Sequence, residues 1–161
     1  MDHSSLTLNP PFTTVNMRFT ITSVLALAAT FTAAVLPRAD YGYWDFTGSA
    51  SYPVSGFNSY KVDATYHNSE LEAPIEVTCS YLYNPQTKTE TASCSDPSFT
   101  YDFGGVRQAN TVATVTLTQT VELWGSNVTV KGAKEFDFDF SGGAGFTGTA
   151  SGEIDAQTAT A

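Results

Sequence analysis

The chain has 161 residues, with seven Lys and Arg against sixteen Asp and Glu, and a formal net charge of −9. Such an acidic protein repels phosphate and anionic headgroups, so we expect no nucleic acid partner and no membrane partner. Aromatic side chains make up 13% of the residues, enough apolar surface to build a folded core rather than a disordered chain.

The N-terminal segment is typical of a secretory leader. A Met-Arg pair at 17–18 precedes a short apolar run at 24–29, and small residues follow it. This order defines a signal peptide, and the apolar run is too short for a stable membrane span. We therefore predict a signal peptide, with room for a short pro-segment, over residues 17–38. Residues 1–16 contain no Lys or Arg and are interpreted as a non-native or untranslated extension.

Two mature N-termini are compatible with this leader. Cleavage after Ala34 gives a chain that starts at Val35, whereas a further cut after Arg38 gives one that starts at Ala39. Removing residues 1–38 leaves 123 residues, the length of one domain. We expect this domain, residues 39–161, to be extracellular.

From residue 39 onward apolar and polar residues alternate, and no segment has the three-and-four spacing of a helix. Such alternation predicts half-buried β-strands. The predicted rows are Trp44-Phe46, then residues 60–66, 75–81, 99–103, 113–117 with 121–123, 128–130, 136–140 and 146–154. Turn sequences such as Asn84-Pro85 and Trp124-Gly125-Ser126 separate them. The sequence therefore predicts an all-β domain, either a single antiparallel β-barrel or a compact β-sandwich.

Cys79 and Cys94 are the only cysteines. If the chain turns at Asn84-Pro85-Gln86-Thr87, the two cysteines lie directly opposite each other in a hairpin and face the same side. In an oxidising compartment we expect them to form a disulfide that spans this hairpin. Two free thiols, or half of a metal site, would need neighbouring ligands that the sequence lacks. Because both cysteines are used, we expect no disulfide-linked dimer.

The residues around the cysteines resemble a known family. Cys79-Ser80, Ser93-Cys94 and residues 98–103, together with Tyr43-Trp44 and residues 56–64, are similar to the Alternaria major allergen-like family of secreted fungal allergens and plant-defence elicitors. The likeness spans residues 41 to about 130. It implies a compact β-barrel, contact with host or extracellular proteins such as plant defence proteins, and no enzymatic activity. The chain lacks the family's N-terminal cysteine and later cysteine pair, so the resemblance does not extend to that family's linked dimer.

Candidate catalytic groups have structural explanations. Residues 143–148 match G-x-G-x-x-G, but residues 147–151 alternate like a strand, whereas a dinucleotide site needs a helix there. His67 has no nucleophile motif and is interpreted as a surface loop residue. Asp137 and Asp139 alternate with phenylalanines and are interpreted as charges on the solvent face of a strand. We therefore expect no catalytic residue, no metal and no cofactor.

Three positions remain as candidate sites. Asn127-Val128-Thr129 is a sequon, which makes Asn127 a candidate glycosylation site. Tyr52 and Trp124, each beside a turn-forming residue, are candidate contact residues at exposed loops, and a place in the core is the alternative for each. We expect a secreted, non-enzymatic protein that binds a host or extracellular protein and elicits plant defence. The alternative is a carrier that holds a small apolar ligand in the barrel mouth, and bulky side chains filling the interior would argue against it.

Overall fold

The computed structural model describes residues 40–142 and 146–161, which contain nine β-strands and no helix. The strands are β1 Tyr43–Ser51, β2 Asn58–His67, β3 Ile75–Asn84, β4 Thr89–Cys94, β5 Thr100–Asp102, β6 Val112–Leu123, β7 Ser126–Asp137, β8 Thr147–Asp155 and β9 Thr158–Thr160. The predicted all-β class is confirmed for this part of the chain. The predicted extension and signal peptide, residues 1–16 and 17–38, lie outside the described residues, as do both proposed mature N-termini.

The strands form two antiparallel sheets. The first has the order β4-β3-β2-β1-β8, and the second has the order β5-β6-β7-β9. The described strands do not close into a barrel, so the sandwich form of the prediction fits better than the barrel form. In these residues there is no helix with the length and apolar character needed to cross a membrane.

Period-two alternation decides which side chains enter the core. In β2, Val62, Ala64 and Tyr66 are buried, while Lys61 and Asp63 on the opposite face are exposed. The other long strands repeat this pattern, and their inward rows meet between the two sheets. Each fully buried large apolar side chain contributes about 1.5–3 kcal/mol relative to exposure, so this layer dominates the stabilisation of the fold.

The predicted disulfide is present. Cys79 and Cys94 are register partners across β3 and β4, and their sulfurs lie 2.01 Å apart. The hairpin turns where the sequence predicted, because Asn84 pairs with Thr89 at the ends of the two strands. The Asn84 side chain accepts a hydrogen bond from the backbone N–H of Gln86 at 3.0 Å, which favours the turn.

The segment predicted as a strand over residues 136–140 divides between the two sheets. β7 ends at Asp137, and Asp139 then forms a two-way backbone bridge with Thr149 of β8, at 2.9 and 3.1 Å. The chain thus crosses from the second sheet to the first while its side chains keep alternating. Alternation is the same on either sheet, so the sequence pattern does not reveal such a crossing.

Gly132 of β7 allows the sheets to approach each other closely. A Cβ atom at this position would lie 2.2 Å from the Asp155 carbonyl oxygen and 3.0 Å from the Trp44 ring. Only glycine leaves room there for the end of β8 to pass over the buried indole of Trp44, which is fully excluded from solvent.

Candidate functional site

The inward rows of the first sheet change from apolar residues to tyrosines towards one end of the sandwich. In β2, buried Ala64 and Val62 are followed along the inward row by half-buried Tyr60. In β3, buried Cys79 is followed by half-buried Tyr81. Because these tyrosines follow the strand alternation, they continue the core layer outward to the solvent at this end.

Tyr60 lies at the centre of this aromatic layer. Its ring stacks on Tyr81, its register partner, with centroids 5.1 Å apart and planes 24° apart. Tyr52 meets Tyr60 edge-on at 6.1 Å, and buried Phe103 packs beneath it at 5.3 Å. Tyr101 of β5 packs on the same phenylalanine at 5.4 Å. We name the set formed with one nearby cation the tyrosine–arginine cluster: Tyr52, Tyr60, Tyr81, Tyr101 and Arg107.

Arg107 covers one side of the cluster. Its guanidinium carbon lies 4.2 Å from the centre of the Tyr52 ring, a cation–π distance. The same group donates hydrogen bonds to the Tyr52 hydroxyl at 2.5 Å and to the Val106 carbonyl at 2.8 Å. The Tyr52 hydroxyl in turn donates to the Val106 carbonyl at 2.7 Å. An exposed arginine is thereby held in one orientation beside the tyrosines.

The electrostatics of the cluster follow from partial burial. Burial raises the pKa of Tyr52 above the usual phenol value, with a further increase from the Tyr60 hydroxyl and a smaller opposing effect of Arg107. Burial also raises the pKa of Tyr101, reinforced by Tyr60 and Tyr81. Tyr52 and Tyr101 therefore stay neutral at physiological pH. The cluster offers phenol groups and one guanidinium, a local positive charge on a chain of net charge −9.

The two predicted contact residues lie in different environments. Tyr52 is half-buried and bonded within the cluster, so it is not the freely exposed loop residue that the sequence predicted. Trp124 lies in the two-residue turn between β6 and β7 and is 53% exposed, as predicted. Arg107 of the cluster lies in the loop before the twelve-residue strand β6, whereas Trp124 lies directly after that strand. The two candidate contact residues, Tyr52 and Trp124, therefore do not form one site.

His67 is the last residue of β2 and is half-buried, so it lies at the end of a strand and not in the loop that follows. Its ring stacks on Tyr43 with centroids 4.9 Å apart. Its Nε2 lies 3.1 Å from an Asp45 carboxylate oxygen, close enough for an ion pair but without hydrogen-bond alignment. Together with Asp40 and Glu72 it lines a cleft of about 300 Å³. Within the described ranges no hydroxyl or thiol group hydrogen-bonds to the His67 imidazole. The His67–Asp45 pair therefore has no nucleophile beside it.

The remaining candidates are dispersed. Asp137 and Asp139 are both exposed, and hydrogen bonds from Ser141 lower the pKa of Asp139. Across residues 40–142 and 146–161 no group of three or more His, Cys, Asp or Glu could hold a metal ion. Of the glycine-rich segment, residues 143–145 lie outside the described part, and strand β8 follows it, as predicted, instead of a helix.

The interior and the surface clefts bear on the carrier alternative. The inward rows are filled by bulky side chains, and Trp44, Phe46 and Phe138 are at most 2% exposed. A larger cleft of about 500 Å³ lies at the surface, where Pro53 and Phe146 form part of its lining. In the described core, packed side chains therefore occupy the inward rows of the two sheets, which are the rows that would line the ligand cavity of a carrier.

Comparison of the chain with protein-family models, with curated proteins and with solved structures finds no match. The resemblance to the Alternaria allergen-like family therefore stays a prediction from the residues. Alternation in the sequence placed Tyr60, Tyr81 and Tyr101 in predicted strand rows, and Tyr52 was predicted as a candidate contact residue. Arg107, in a loop without a periodic pattern, was not predicted, and only the fold brings it against Tyr52.

Proposed function

We propose that the protein is a secreted, non-enzymatic β-sandwich that binds a host or extracellular protein through the tyrosine–arginine cluster and elicits plant defence. The observation that carries the proposal is the Arg107 guanidinium held over the Tyr52 ring beside the stacked pair Tyr60 and Tyr81. The resemblance to the Alternaria major allergen-like family implies the same class of function.

The composition of the cluster supports protein binding. Tyr and Arg are enriched among the residues that contribute most to protein–protein affinity. Binding costs conformational entropy when side chains must become ordered, and this cost falls when they are already fixed. Here Tyr52 and Arg107 are fixed by hydrogen bonds to the same backbone carbonyl, that of Val106.

The hydrogen-bonding capacity of the cluster indicates what the partner presents. Arg107 is a permanent donor and the phenol of Tyr101 is neutral, so the Arg107 side of the cluster favours acceptors such as carboxylates and backbone carbonyls. At the Tyr81 side the Glu90 carboxylate already lies against the phenol, so that side does not favour another carboxylate. The chain as a whole is acidic, so charge complementarity favours a partner surface that is mostly basic. An acidic group of that partner that contacts Arg107 would therefore be surrounded by basic residues of the partner. We therefore expect an acidic or carbonyl-rich loop with a basic surround.

The carrier alternative has less support. A carrier needs an enclosed apolar cavity, because its ligand must lose most of its contact with water. The described interior is occupied by its own aromatic side chains, among them Trp44 and Phe46. The protein-binding proposal needs no such cavity, since the cluster lies where the inward rows reach the surface.

We expect Tyr60→Ala and Arg107→Gln each to weaken binding by about 2 kcal/mol or more, roughly 30-fold, if the cluster is central to the interface. The partner is first captured from plant extracellular fluid with the purified protein, and its affinity for each variant is then measured by calorimetry. Arg107 is exposed, so its substitution tests binding without disturbing the core.

Two controls separate this site from the others. Tyr43→Ala removes a half-buried tyrosine that stacks on His67 outside the cluster, and it should leave the affinity unchanged. Joint substitution of His67, Asp137 and Asp139 should also leave binding and the leaf response intact. If that triple variant loses activity while its circular dichroism stays native, the non-enzymatic proposal fails and a carboxylate or metal site must be reconsidered.

Export gives a second prediction. Expressed from Met17 in a secreting fungal host, the chain should reach the medium and begin at Val35 or Ala39, because the apolar segment is a cleaved signal. Edman sequencing of the secreted protein measures this directly. An extracellular product that begins at Met1 or Met17 would contradict it.

A further inference from the structure

The turn between β6 and β7 contains an unusual residue. Trp124 and Gly125 form the two-residue turn, with φ of +53° and +71°. Two positive φ angles match the twist of a hairpin, and Asn, Asp or Gly usually occupies the first position. A residue with a Cβ atom is sterically strained in this conformation. The chain nevertheless places there an indole that is 53% exposed.

The sequon lies directly beyond this turn. Asn127 is the second residue of β7, it is exposed, and it pairs with Glu122 of β6. Thr129 is exposed on the same outer face, whereas Val128 between them is buried. Within the described residues the Asn127 side chain has no hydrogen-bond partner, so its amide is free to carry a modification.

We propose that Asn127 carries an N-linked glycan whose first sugar packs on the Trp124 indole. This inference rests on the proposed function, which includes secretion of the protein. In the reaction, Asn127 Nδ2 forms a bond to the anomeric carbon of a lipid pyrophosphate-linked oligosaccharide. The lipid pyrophosphate leaves from that carbon, and the amide nitrogen loses one proton.

The spacing supports the contact between sugar and indole. Trp124 precedes Asn127 by three residues, and the two-residue turn between Leu123 and Ser126 places both residues at the hairpin tip. N-acetylglucosamine has a face of C–H bonds that packs well against an aromatic ring, which presents its negative π face to them. The sugar would cover the apolar surface that the fold leaves exposed at Trp124.

Tryptophan fluorescence gives a direct test, because the chain has two tryptophans and Trp44 is fully buried. Protein secreted by a glycosylating yeast is compared after two treatments. An endoglycosidase leaves one sugar on Asn127, whereas an amidase hydrolyses the side-chain amide, which removes the whole glycan and leaves an aspartate at this position. We expect Asn127 to be occupied by peptide mass spectrometry. We also expect acrylamide to quench the one-sugar form less than the sugar-free form.

Thermal unfolding tests the same contact by a double-mutant cycle. Trp124→Asp keeps a turn-compatible residue, since Asp-Gly suits this turn type. Removing the glycan should lower the melting midpoint by a few degrees in the wild-type protein and by less in Trp124→Asp. Trp124→Asn is unsuitable as the comparison because it would create a new sequon, Asn-Gly-Ser.

Each outcome decides a distinct point. A chain retained in the cell with an uncleaved leader contradicts the proposed export, and this inference falls with it. A secreted chain with Asn127 unoccupied contradicts the inference alone. Equal quenching of the one-sugar and sugar-free forms, or equal midpoint shifts in both members of the cycle, overturns the packing on Trp124.

Discussion

Replacing Gln119 with Leu should lower the free energy of unfolding by about 3 kcal/mol, although the two side chains are of similar size. Gln119 is fully buried, and it accepts a hydrogen bond from Trp44 Nε1 at 2.9 Å. Its own Nε2 donates to an Asp96 carboxylate oxygen at 2.9 Å. The substitution leaves a buried indole N–H unpaired, which costs about 1–3 kcal/mol, and it removes a bond to a charged group worth a similar amount.

The effect is large because this relay joins three separate parts of the fold. Trp44 belongs to the first sheet, Gln119 to the second, and Asp96 to the connection between β4 and β5. Chemical denaturation at neutral pH measures the loss. Gln86→Leu is the matched control, since Gln86 is exposed in the β3–β4 turn and its replacement should change stability by less than about 0.5 kcal/mol. Equal effects of the two substitutions would contradict the relay.

The relay also has a defined pH dependence. Burial alone raises the pKa of Asp96, but hydrogen bonds from Gln119 and Ser98 outweigh it and lower that pKa below its ordinary value of 3.8. A carboxyl group with a lowered folded-state pKa stabilises the fold above its unfolded pKa, and this contribution is lost as pH falls through the folded value. The stability difference between wild type and Gln119→Leu should therefore shrink below about pH 4. A difference that stays constant from pH 7 to pH 3 would contradict this assignment.

Gln119 also marks a limit of sequence reasoning. Alternation predicted one row of apolar residues, 113–117 with 121–123, which a glutamine interrupts. The structure has one strand, β6, with Gln119 facing inward at its place in the row. Periodicity treats a polar residue as outward-facing, and the partners that satisfy this one lie 75 and 23 residues away in sequence. Such partners exist only after the sheets have packed.

The tyrosine–arginine cluster could be predicted only in part, for a related reason. Alternation places Tyr60 and Tyr81 on the inward face, as the structure confirms. Whether an inward residue is enclosed or lies at an open end depends on how far each strand extends beyond the opposite sheet, and the strand pattern does not contain that information. The disulfide was predictable because the register of a short hairpin is a local property.

Removing the Cys79–Cys94 bridge by a double alanine substitution should lower the free energy of unfolding by about 3 kcal/mol, the chain-entropy value for a loop of this length. The cysteines are 15 residues apart and close one hairpin only. The β4 strand that they attach lies at a sheet edge and is mostly exposed, so the core does not depend on it. We therefore expect the melting midpoint to fall by several degrees while the β-sheet circular dichroism persists.

The neighbouring pair Ser80 and Ser93 provides the matched control for this experiment. These residues also face each other across β3 and β4, and their hydroxyls hydrogen-bond at 3.1 Å on the exposed side. Their double alanine variant removes a cross-strand contact from the same hairpin but leaves the covalent link, so it should cost less than about 1 kcal/mol. Mass spectrometry that finds two free thiols in wild-type protein purified from a secreting expression host would contradict the disulfide. Complete unfolding of the cysteine variant would instead show that the core requires this hairpin.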